Sequence, residues 1–287
     1  MQKYKFTGIT KEVYGRTLNQ IVCVTAFASI KSGEIGGYIE KEANLSQDGN
    51  AWVFGNAEVC GNAKVCEDAE VYGNAKVYGN AEVCGNAKVC GDAWVYGNAK
   101  VCGDAWVCGN AKVCEDAEVY GNAKVYGNAE VCGNAEVCGN AKVCGNAKVC
   151  GDAKVCGDAW VYGNAKVCED AKVYGNAEVC GNAEVCGNAK VCGNAEVCGE
   201  AILRRGFTEK VTDYIVIGPQ GTRSSFATFH LHSKTVCTGC FVGNLNEFKK
   251  AVYKTHNPDQ GRVTFNNQYQ RVIRVFEFLQ EQDKDAQ

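Results

Sequence analysis

The side chains with chemistry to offer are cysteine and histidine, with one arginine-bearing loop, and they stand in three patterns. Of the 20 cysteines, 17 follow a valine at intervals of six residues or multiples of six, as in Cys114, Cys132, Cys150, Cys168 and Cys186. Thiols in such a file can pair as disulfides or offer thiolates to a soft metal. Further on, His230-x-His232 precedes Cys237-x-x-Cys240, a metal-like spacing. Just before it, Gly218-Pro219-Gln220-Gly221-Thr222-Arg223-Ser224-Ser225 follows an apolar run. Glycines, hydroxyls and a guanidinium are the parts of a cradle for a phosphorylated ligand.

Each pattern also has a plainer reading. A straight file of thiols does not supply the four converging ligands of tetrahedral zinc, which leaves a two-coordinate soft metal as the metal reading and small, reduced surface residues as the plain one. If Ser233-Lys234 is a two-residue turn, His230 pairs with Cys237 while Cys240 has the opposite parity and faces away. An ordinary hairpin is therefore expected, with His230, His232 and Cys237 as the residual metal candidates. The loop lacks the lysine and following helix of a P-loop and reads as a β-turn, with Gly218, Gly221, Thr222, Arg223, Ser224 and Ser225 as its ligand-binding candidates. No cofactor is expected.

The cysteines belong to a repeat. From Gly49 to Cys198 the chain reads Gly-Asn/Asp-Ala-x-Val-Cys/Tyr, apart from a few Glu in the glycine place and one Trp-Val-Phe, in 25 hexads without insertion or deletion. Ala and Val are two residues apart, so on a strand they share one side, while x and the Cys/Tyr position share the other. Ala and Val face in. Gly-Asn supplies the positive φ of a corner, and three strands with three corners close a triangular coil of 18 residues. A Gly-Asn pair every six residues excludes an α-helical array. The expected fold is mainly β: a rod of about eight triangular coils, roughly 40 Å long at the spacing of β-strands. Residues 1–48 are read as an N-terminal β cap with Ala43-Asn44-Leu45 as a degenerate hexad. Residues 199–287 are read as a small α+β domain with strands at Tyr214–Ile217, Phe226–His232 and Thr235–Phe241 and helices at Leu245–His256 and Gln268–Gln282. Asn244 with Glu247 three residues later gives the first helix a capping box.

The hexad resembles that of the hexapeptide-repeat proteins, whose left-handed parallel β-helix carries an aliphatic and a small residue at this offset. The flanks resemble uncharacterised hexapeptide-repeat proteins of gut bacteria and their phages. Lys3-Tyr4-Lys5-Phe6-Thr7-Gly8, Gly15-Arg16-Thr17-Leu18 and Gly36-Gly37-Tyr38-Ile39-Glu40 match at the start, and Ile217-Gly218-Pro219 with Cys240-Phe241-x-Gly243-x-Leu245-x-Glu247-Phe248 at the end. This second resemblance implies no activity. The known enzymes on such a helix, acyltransferases and γ-type carbonic anhydrases, use histidines as a general base or as zinc ligands, and residues 49–198 contain no His, Ser or Arg. The chain is expected not to be an enzyme.

Charge and aromatic placement bear on partners. The net charge is −3, and residues 49–198 carry 12 Lys against 19 Asp and Glu. Interspersed lysines dilute the acidic field, so mimicry or binding of nucleic acid is not expected. No apolar run approaches the roughly 20 residues of a membrane span, and the N-terminus shows no export signal, so a cytoplasmic protein without a membrane partner is expected. Sorted by an 18-residue phase, one face collects Trp52, Phe54, Tyr72, Trp106, Tyr126, Trp160 and Tyr162, a row of aromatics suited to a protein partner or a second copy of the chain. Against this, residues 87–102 recur unchanged at 153–168, a shift that moves the copy to other faces. The first expectation is a binding protein in which the rod presents the C-terminal domain to a host protein, as an inhibitor of a defence or regulatory system would. The alternatives are a phosphorylated-ligand module at the Gly218–Ser225 loop and a self-assembling scaffold or cytoskeletal polymer.

Overall fold

The structure is a computed structural model and describes residues 2–210, 213–220, 225–238, 241–256 and 263–285. Each hexad forms a two-residue strand at x-Val and a corner at Gly-Asn. Strands one coil apart pair in parallel and in register, as Lys88 with Trp106 and Val89 with Val107. Every Ala and Val of the hexads is buried. The interior is therefore an uninterrupted stack of small side chains, and the corner glycines explain why the stack can be so regular. At Gly103 φ is +68°, and an added Cβ would sit 3.0 Å from the backbone nitrogen of Gly121 in the next coil. Glu115 occupies a glycine place at φ +61°, and its carboxylate accepts the Gly133 N–H at 2.7 Å. That charge-assisted bond offsets the strain of a left-handed non-glycine residue.

The asparagine beside each glycine builds a second ladder outside the backbone. Asn110 donates its amide to Asn128 Oδ1, Asn128 to Asn146, Asn146 to Asn164 and Asn164 to Asn182, each at 3.0 Å, and Asn182 donates to Glu200 Oε1 at 2.6 Å.

The result is a parallel β-solenoid of three sheets, one of 12 strands and two of nine. It has about nine coils, where the hexad count alone predicts about eight, because flanking residues that break the hexad pattern still complete coils. Ile202–Leu203 pairs in parallel with Glu184–Val185, and Phe207–Thr208 with Lys190–Val191. At the other end β3 (Ile35–Ile39) pairs in parallel with Glu58–Val59, and Leu45 bridges to Val65.

The N-terminal cap extends the 12-stranded sheet with an antiparallel pair, β1 (Tyr4–Val13) and β2 (Arg16–Cys23), which leads to β3. Polar side chains close the rod's first edges. The Lys3 ammonium donates to the carbonyls of Ala51 (3.0 Å) and Gly49 (3.4 Å), and the Tyr4 hydroxyl to that of Leu45 (2.8 Å). Burial pushes the Lys3 pKa down to about 8, against the opposing pull of Asp48. The degenerate hexad differs from expectation: Ala43 is exposed, and Asn44 is buried instead, donating to the carbonyls of Gly61 and Ala63. At an open edge an amide satisfies carbonyls that an alanine cannot.

In the C-terminal part, strands Tyr214–Gln220, Ser225–His230, Thr235–Thr238 and Phe241–Asn244 form an antiparallel meander. It is followed by α1 (Leu245–Thr255) and α2 (Val263–Asp285). The capping box is present: Asn244 Oδ1 accepts the Glu247 N–H at 3.0 Å and Glu247 Oε2 accepts the Asn244 N–H at 2.9 Å. Helix α2 begins earlier than expected, and the expected third strand is two, Thr235–Thr238 and Phe241–Asn244. One face of the meander, with Ala227, Phe229 and Val236, packs on Phe248, Val252, Val272, Ile273 and Phe276 of the helices. The opposite face covers the end of the rod. Among the described residues no helix is long and apolar enough to cross a membrane.

Candidate functional site

The row of aromatics divides into buried and exposed members. Trp52 is fully buried and leaves it: the cap folds over the outer side of that strand, and the indole packs edge-on against Tyr4 and Phe27 at 6.3 and 5.6 Å. Sequence parity correctly puts Trp52 on the outer side of the coil, but cannot show that another layer lies there. Phe54 is half-buried beside it and meets Tyr72 edge-on at 6.5 Å. Trp106 and Trp160 remain exposed, at 39% and 36%, with Tyr126 and Tyr162 half-buried in the neighbouring file. Tyr162 lies 4.6 Å from Trp160.

Between the two tryptophans the register places Lys124 and Lys142, giving the sequence of rungs Lys88, Trp106, Lys124, Lys142, Trp160. Composition gives no hint of these lysines, yet the 18-residue phase that aligns the tryptophans also places them. Lys124 lies over the Trp106 ring at 5.7 Å and Lys142 over Trp160 at 5.6 Å. Each indole N–H donates to a thiol of the preceding coil, Trp106 to Cys90 (3.0 Å) and Trp160 to Cys144 (3.2 Å). Trp106 is thus held between sulfur of the coil before it and ammonium of the coil after it, whereas Trp160 takes both contacts from the coil before it. Rigid aromatic and cationic groups on a flat sheet suit recognition of a partner, because little side-chain freedom is left to lose on binding.

The cysteines form files as the period requires, and the 19 among the described residues are free thiols. Several, such as Cys114 and Cys186, are buried between neighbouring rungs rather than lying open on the surface. Burial pushes the thiols of Cys84 and Cys132 up to about 12 and that of Cys108 to about 11, with neighbouring thiols adding to the effect. Cys150 goes the other way, to about 6, because Cys168 donates a hydrogen bond to its thiolate.

The expected hairpin contact between His230 and Cys237 is not formed. The turn spans Leu231 to Lys234, four residues instead of two. His230 therefore pairs with Thr235, and Cys237 with Thr228. His230 is buried, its Nε2 2.8 Å from the Thr208 hydroxyl and its Nδ1 2.8 Å from that of Ser233. Its ring joins the C-terminal meander to the last strand of the rod. His232 instead points to solvent and contacts Asp213 Oδ1 at 3.1 Å. Cys237 is buried, and that burial raises its pKa despite nearby Arg204. These three residues do not converge on one point; Cys240 lies outside the described residues. Of the phosphate-like loop, Gly218 is exposed and Ser225 pairs with Gln220 along the backbone. Gly221, Thr222, Arg223 and Ser224 lie outside the described residues.

One further groove, of about 470 Å³, is lined by Asp152, Lys154, Asp170, Lys172, Asn188 and Lys190. Its alternating charges give no strong field of either sign. No protein-family model matches the chain, and no curated protein shows significant similarity to it.

Proposed function

We propose that the protein is a non-enzymatic binding protein, a stiff β-helical rod that recognises another protein. The observation that carries this reading is the strip Trp106-Lys124-Lys142-Trp160, in which two exposed indoles are fixed by thiols and ammonium groups on a rigid face. Tryptophans of this kind are frequent anchors of interfaces. The resemblance to repeat proteins of gut bacteria and their phages makes a host defence or regulatory protein the concrete partner. Because one face of the C-terminal sheet is spent on the rod and the other on its helices, the recognition role falls to the rod as much as to the domain it carries. Caps that satisfy both ends of the rod weigh against growth by end-to-end stacking.

The test is a double variant, Trp106→Lys with Trp160→Lys, compared with the parent chain by sedimentation and by capture from a host lysate. Both side chains lie outside the core, so melting should be unchanged while the captured partner, or a self-associated species, is lost. Equal capture and equal sedimentation by parent and variant would remove the strip as a binding surface.

A further inference from the structure

The solenoid has a regular diagonal contact that the in-register ladder alone does not reveal. A side chain after valine in one coil touches the x residue 16 positions later, in the next coil. Trp106 meets Cys90 and Trp160 meets Cys144 in this way, and Tyr120 and Tyr162 donate to the carboxylates of Glu136 (3.2 Å) and Glu178 (3.1 Å). Where the residue is Cys, the x residue is Glu, and the next rung of the file is again Cys, the diagonal brings a carboxylate to a pair of stacked thiols. Two such groups stand out among the described residues: Cys114, Glu130 and Cys132, and Cys180, Glu196 and Cys198, with the three donor atoms of each group all within 4.8 Å of one another. A file of thiols does not converge by itself, but the diagonal Glu supplies the third direction.

We infer that these two groups are binding sites for a thiophilic divalent cation of the zinc type, each offering two sulfurs and one carboxylate oxygen, with water as the fourth ligand. This ligand set matches the chemistry of zinc, which takes thiolate and carboxylate in a tetrahedron. A metal–sulfur bond of about 2.3 Å sets the two sulfurs about 3.8 Å apart, a distance reached by leaning two side chains on strands about 4.8 Å apart. On binding, the thiols release their protons to solvent and both sulfurs bond to the cation.

Neighbouring rungs show what makes the two groups different. Cys138 and Cys156 are also one coil apart, but the diagonal residue is Lys154, whose ammonium opposes a cation. Cys66, Glu82 and Cys84, and Cys168, Glu184 and Cys186, share the spacing without bringing all three donor atoms this close; Glu184 is drawn toward Lys166 (3.3 Å) and Arg204 (3.9 Å). Glu130 gives one oxygen to Lys148 at 3.2 Å and keeps the other. The second group lies on the last strand of its sheet, where the Tyr214 hydroxyl accepts the Cys198 N–H and donates to the Glu196 carbonyl. A cation there would tie the final coil just where the C-terminal meander meets it.

The experiment uses the full chain, reduced and freed of metal, titrated with Zn(II) against a chromophoric chelator and with Cd(II) while the thiolate charge-transfer absorbance is followed. The expected result is two bound cations per chain. Cys114→Ser with Cys132→Ser removes one, Cys180→Ser with Cys198→Ser removes the other, and Glu130→Gln weakens the first site at least about tenfold. Cys138→Ser with Cys156→Ser changes nothing. Melting of each metal-free variant verifies that it folds. No tight Zn(II) binding by the parent chain, or equal loss from the Cys138 and Cys156 control, would overturn the assignment.

Discussion

The middle of the rod and its two ends solve the same problem by different means. In the middle, each strand's hydrogen-bonding edge is covered by the next coil, so two apolar residues per hexad suffice and the same six positions can be reused. At the ends there is no next coil, and single side chains take over. Lys3, Tyr4 and Asn44 satisfy the first carbonyls. At the far end the Tyr214 hydroxyl serves the strand Glu196–Val197, the Thr228 hydroxyl accepts the Ile202 N–H at 2.9 Å, and His230 reaches Thr208. Thus each of the three final strands receives its own polar partner. The middle depends on volume and period, whereas the ends depend on individual functional groups.

Trp52 and Trp160 give the largest expected contrast, since both stand at the x position of the same file. Trp52→Ala should cost about 3–5 kcal/mol because it empties a buried site under the cap. Trp160→Ala should change stability by less than about 1 kcal/mol. Equal losses in chemical denaturation would mean that the cap does not cover Trp52. Next in size is overpacking of the middle. Ala123→Phe should cost at least about 1–3 kcal/mol, while deletion of the complete coil from Gly121 to Cys138 should leave a folded, shorter rod. Should the deletion unfold the chain and Ala123→Phe melt normally, the coil assignment fails.

A smaller and local effect is expected at the far edge. Tyr214→Phe leaves the Glu196 carbonyl without its donor and the Cys198 N–H without its acceptor, a loss of roughly 1–2 kcal/mol. Hydrogen exchange should speed up in the last coil and not near Val125. The smallest effect is one of pH, and it runs in opposite directions in the two regions. Thiols raised to about 11–12 at Cys84, Cys108 and Cys132 favour the folded state below their ordinary pKa, and that contribution is lost as pH rises from about 9 toward 12. Lys3, lowered to about 8, does the reverse: its burial penalises the folded state at neutral pH, and the penalty lifts as pH rises from about 8 to its ordinary value of 10.5. The triple variant Cys84→Ala, Cys108→Ala and Cys132→Ala should flatten the alkaline fall in melting temperature. Lys3→Met should remove the opposing gain. An alkaline profile that neither change alters would dissociate these groups from the stability of their regions.

The same contrast explains what the sequence makes legible. The hexad register identifies the inward Ala and Val because repetition averages away every other influence, and it assigns the three faces correctly. It fails where a residue answers to a one-time neighbour. Ala43 looks like the inward alanine of a hexad, but the edge requires the amide of Asn44. Trp52 follows the parity of the file, yet the fold of β1 and β2 decides its exposure. The pairing of His230 depended on the length of a turn that Ser233-Lys234 suggested to be two residues and that the structure makes four. The diagonal that brings Glu130 to Cys114 is also absent from a purely columnar reading, although the recurring 16-residue offset is present in the sequence once its meaning is known.

The corner asparagines carry a direction. An amide has a donor and an acceptor on one side chain, so a file of them can be threaded head to tail, and in every rung the donor points toward the C-terminal coil. A carboxylate can receive that thread but cannot pass it on. Asp92 ends the file of Asn56 and Asn74, Asp116 that of Asn62, Asn80 and Asn98, and Asp158 that of Asn122 and Asn140. The interchange of Asn and Asp, a single-base step that looks like neutral drift between copies, therefore acts as punctuation: it decides how many coils are polarised as one unit and which coil carries the carboxylate at that unit's end.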